Sequence, residues 1–64
     1  MTQKELLYFE DAVGHESNII KILNNNIENL QDGELIDFIK KEIEKHNILK
    51  QNLMDMLGEK SNGW

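Results

Sequence analysis

Cysteine, proline and arginine are absent from this 64-residue chain. Without cysteine no disulfide framework can staple it, and its length allows at most one small domain. Without arginine, seven lysines stand against twelve acidic residues, for a net charge of −5. That balance argues against binding to a phosphate backbone, where clustered cations supply the attraction. No apolar run approaches the roughly 20 residues that span a bilayer, and the amino terminus lacks the basic start and apolar block of a secretory signal. The expectation is a chain kept inside the cell, with neither nucleic acid nor a membrane as partner. Nucleophilic catalysis also lacks its parts. Ser17 and Ser61 are the only serines, neither has a base at suitable spacing, and there is no glycine-rich phosphate loop. The chain therefore reads as non-enzymatic.

What is present is helical periodicity. Leu6, Phe9, Val13, Ile20, Leu23, Ile27 and Leu30 follow alternating steps of three and four once position 16 is included, the spacing of one helix face. Thr2-Gln3-Lys4-Glu5 has capping-box spacing, in which the Thr side chain and the Glu side chain satisfy each other's backbone N–H groups. A first helix is predicted over 3–30. It runs without a break through Gly14, read as a place of close helix approach or a mild bend, and through Asn24-Asn25-Asn26. A second series, Leu35, Ile39, Glu42, His46, Leu49, Leu53 and Met56, predicts a helix over 33–57. Asp32 is its N-cap, Glu34 and Asp37 complement the positive end of its dipole, and Gly58 is its C-cap before a flexible tail over 58–64 that ends in Trp64.

So short a connection predicts an all-α, antiparallel helical hairpin. A chain this small without disulfides needs exceptional packing, a metal or a partner chain. Apolar residues beside the two stripes, Ile19, Ile22, Ile36, Phe38, Ile43, Ile48 and Leu57, would stay partly wet on a lone hairpin. Pairing two hairpins into a four-helix bundle hides them, so a homodimer is expected.

Each stripe is interrupted by polar residues, Glu16 in the first and Glu42 and His46 in the second. With the turn centred between Asp32 and Gly33, Glu16 faces about Leu49 and sits roughly one helical turn from His46, a gap side chains can close. Two outcomes stay open. Glu16 and His46 hydrogen-bond across the seam and fix which helices pair, the favoured reading. Alternatively Glu16, His46 and, less directly, Glu42 hold a metal ion, with a twofold dimer bringing two Glu16 and two His46 together; such mixed oxygen and nitrogen ligands suit zinc or iron. His15 is read as an edge residue, and Glu10 and Asp11 as the wet face. If the pair forms without metal, His46→Leu is expected to cost little and Glu16→Ala to be harmful, by stranding the imidazole.

The run from Lys4 to Glu16, Lys-Glu-Leu-Leu-Tyr-Phe-Glu-Asp-Ala-Val-Gly-His-Glu, the turn Leu30-Gln31-Asp32-Gly33-Glu34-Leu35 and the segment Glu44-Lys45-His46 together resemble the small spore coat protein F-like family of spore-forming bacteria. That family is similar to half of a ferritin-like bundle. The resemblance implies a hairpin that dimerises into a ferritin-like four-helix bundle, a role in or near the spore coat alongside other coat proteins, and no settled enzymatic activity. Ferritin-like di-iron sites take a Glu from one helix and Glu-x-x-His from the next. At the level of Glu16 the second motif falls on positions 46 and 49, which read His46 and Leu49. One carboxylate and one imidazole are thereby missing from a full di-iron centre. The function expected is structural or assembly work at the spore coat. The alternatives are a metal-binding ferritin-like bundle and a regulatory protein-binding module in sporulation.

Overall fold

In the computed structural model, which describes residues 1–61, two helices account for nearly every position: α1 (Gln3–Ile27) and α2 (Gly33–Ser61). The described residues contain no strand. They lie against each other as an all-α hairpin measuring 49 × 15 × 10 Å.

Both helix starts are set by side chains. The Thr2 hydroxyl accepts from the Glu5 backbone N–H at 3.1 Å while the Thr2 N–H donates to Glu5 Oε1 at 3.0 Å, completing the capping box. The hydrogen bond from the Thr2 backbone N–H, and after it the Thr2 side chain, holds the Glu5 carboxyl below the ordinary glutamate range. A group lowered in this way adds stability above its unfolded value and loses that contribution as pH falls through its folded value. The amide shifts of Glu5 and Leu6, followed by NMR during acid titration, should therefore move together below the range of a free glutamate. Movement within the free range would contradict the box. At α2 the Asp32 carboxylate accepts from the N–H groups of Glu34 at 2.9 Å and Leu35 at 3.2 Å. It caps the helix as its position predicts.

The asparagine run does not break α1. The Asn24 side-chain amide donates back to the Ile20 carbonyl at 3.0 Å, so its competing polar group is spent within the helix,. The helix instead stops at Ile27, three residues before the expected Leu30. Two tight bonds, Asn29 N–H to Asn26 C=O and Leu30 N–H to Ile27 C=O, each 3.1 Å, begin the turn there. At the other end α2 runs on past Leu57 to Ser61. Gly58 is thus an internal helical residue rather than a cap, and no described glycine takes a positive φ. Positions 62–64 of the expected tail, Trp64 included, lie outside the described residues. Gly14 is not a point of close approach within the hairpin, because a Cβ built there meets nothing within 4 Å.

Packing follows the first stripe as predicted and corrects the second. On α1, Leu6, Phe9, Val13, Glu16, Ile20, Leu23 and Ile27 are at least half-buried. On α2 the residues turned inward are Ile36, Ile39, Ile43, His46, Lys50, Leu53 and Leu57, whereas Leu35, Leu49 and Met56 are exposed. The helix is rotated by about half a residue, roughly 60°, from the expected stripe. Two features account for this. The rotation moves Glu42 from the middle of the stripe to its edge, where its part-buried carboxylate pairs with Lys45 and meets less repulsion from Glu16,. It also brings in Lys50, whose long aliphatic stem can cover apolar surface while its ammonium reaches water. Among the described residues no apolar side chain is buried in this hairpin, and Glu16 is the one buried polar residue.

Candidate functional site

Glu16 lies near the middle of α1, with Val13 and Ile20 one turn to either side in the same seam. His46 holds the matching place on α2, between Ile43 and Lys50. Helical spacing keeps each set on one face, so the polar groups enter the seam at one level from both helices. His46 Nδ1 and Glu16 Oε2 hydrogen-bond to each other at 2.5 Å. The contact engages Nδ1 of the imidazole and leaves Nε2 outside the pair.

The two side chains are unequally shielded, 11% exposed for Glu16 and 27% for His46. The carboxylate is the group more removed from water, and the imidazole edge still touches it. Among the described residues every buried side-chain nitrogen or oxygen has a partner.

The direct pairing corrects the expected register. Because α1 ends at Ile27 and the turn occupies 28–32, Glu16 lies level with His46 and not with Leu49, and the expected offset of one turn disappears. Glu42 is not part of the pair. It sits at the edge of α2 and is bound to Lys45 Nζ at 3.2 Å, an i,i+3 ion pair with the Glu42 side chain 30% exposed. His15, Glu10 and Asp11 are exposed, the last two forming the expected wet face. Sequence reasoning missed Lys50 in the seam and the Glu42–Lys45 pair. The second could have been found, since opposite charges three apart on a helix are neighbours.

A divalent ion needs further ligands beside Glu16 and His46. Among the described residues of one chain no three His, Asp or Glu side chains converge. The residues of a single hairpin therefore do not fit a complete metal centre. The described residues also open no cavity beside the pair. What the geometry does is specify alignment: a buried carboxylate and a part-buried imidazole, each satisfied by the other, are satisfied at one register only. No described helix is long and apolar enough to cross a membrane. No family model, no curated protein and no solved structure matches this chain.

Proposed function

We propose that this chain is a non-enzymatic building block, working in or near the spore coat, whose functional unit is a ferritin-like four-helix bundle assembled from two hairpins. One observation carries the reading: the hairpin folds without burying a single apolar side chain among its described residues, while Tyr8, Ile22 and Phe38 stand about three-fifths exposed. A two-helix unit with no staple and no closed core gains its stability by covering that surface. The Glu16–His46 pair then acts as an alignment pin, holding the two helices at the one offset that presents this surface as a continuous face. The spore coat assignment rests on the resemblance of Lys4–Glu16, the Leu30–Leu35 turn and Glu44–His46 to coat protein F-like chains. Fractionation of sporulating cells tests it. The chain is expected in the coat extract of mature spores, and recovery only from the soluble mother-cell fraction, bound to a signalling protein, would replace this reading with a regulatory one.

A further inference from the structure

The hairpin has two broad sides, and they differ in chemistry. Residues advance by about 100° around a helix, so the positions just before each seam residue fall on one flank and those just after it on the other. In an antiparallel pair the matching flanks of the two helices face the same way. One broad side is then built on α1 by Tyr8, Ile19 and Ile22 and on α2 by Leu35, Phe38, Leu49 and Met56. The other carries Glu10, Ser17 and Asn24 from α1 and Lys40, Asn47 and Gln51 from α2, with Leu7 and Met54 its large apolar side chains, one near each end of the chain. Ile48 points away from the seam and belongs to neither side.

We infer that a second copy of this chain docks on the Tyr8–Ile22–Phe38 side and on no other, an inference that rests on the bundle reading above. Three observations select a second copy as the occupant. A side of 49 by 15 Å offers on the order of 700 Å² from each copy, close to the ~800 Å² per partner of a stable interface. The face suits twofold pairing, in which each copy presents the same apolar columns to the other. Its central charges, Glu42 and Lys45, already neutralise each other at 3.2 Å, while the net charge of −5 opposes an anionic lipid surface,.

The absence of native cysteine gives a test that does not depend on a destabilised variant. Single thiols are introduced as Ile22→Cys and Phe38→Cys on one side and as Asn24→Cys and Asn47→Cys on the other. Their modification rates in the full chain are then compared with those in denaturant. Protection of more than about tenfold at 22 and 38, rising with protein concentration, with 24 and 47 open, is the expected result. A dimer that protects 24 and 47 instead would overturn the assigned side. A wild-type chain that stays monomeric would remove the bundle reading itself. A monomer whose 22 and 38 thiols are protected only by added phospholipid vesicles would give the face to a membrane.

Discussion

His46→Leu should destabilise the protein by about 1–3 kcal/mol, the cost of leaving a buried polar group without its partner. The side-chain exposures reverse the order expected from the sequence. Leucine keeps the bulk at 46 and so keeps water out, but the group left behind is the Glu16 carboxylate, only 11% exposed. It is then left in the seam without its partner. Glu16→Leu leaves the imidazole behind instead, and at 27% exposure that ring can still be hydrated. Its cost should be smaller, offset by the leucine placed between Val13 and Ile20. The double variant, with both groups replaced by leucine, should recover most of the loss, since a well-packed apolar pair commonly equals or exceeds a buried ion pair in stability. Thermal melts of the two single variants and the double variant, combined as a double-mutant cycle, decide the matter. Simple additivity of the two losses would mean the pair contributes no coupling. The double variant should also pair its helices less strictly, visible as broadened amide signals for residues near 16 and 46.

Much of this arrangement can be read from the residues, and the parts that cannot have physical causes. The α1 stripe is unambiguous because Leu6, Phe9, Val13, Ile20, Leu23 and Ile27 have no competing apolar row of equal strength. On α2 two rows overlap. Leu35, Leu49 and Met56 extend one, Ile36, Ile43 and Leu57 the other, and Ile39, His46 and Leu53 belong to both. Periodicity alone cannot choose between rows that share half their members. The choice falls to terms a single helix does not contain, the repulsion Glu42 would meet beside Glu16 and the freedom of Lys50 to reach water. Caps were legible at Thr2 and Asp32 because their signal is local. The end of α1 was not, since the apolar phase continues to Leu30 while the backbone has already tightened into a turn after Ile27. That error of three residues set Glu16 level with Leu49 and one turn from His46, whereas the expected Glu16–His46 pair itself forms, with the two residues level. The touching pair was therefore identified, while Glu42, expected in the seam, stands at its edge and Lys50 was missed.

The stability of the wild-type chain should depend strongly on its concentration. If the exposed columns of Tyr8, Ile22, Leu35 and Phe38 are covered by a second copy, folding and association are one equilibrium. Each tenfold rise in concentration then adds about 1.4 kcal/mol of apparent stability. For a chain of this size that corresponds to a rise in Tm on the order of 5 °C per decade. A hairpin that completes its core alone would melt at one temperature at every concentration.

Sedimentation equilibrium of the untagged full chain across the micromolar range measures the same linkage without heating. Folded dimers throughout, dissociating only into species that have lost helical signal, are the predicted result. A stable, fully helical monomer at every concentration would show that the two helices need no second copy.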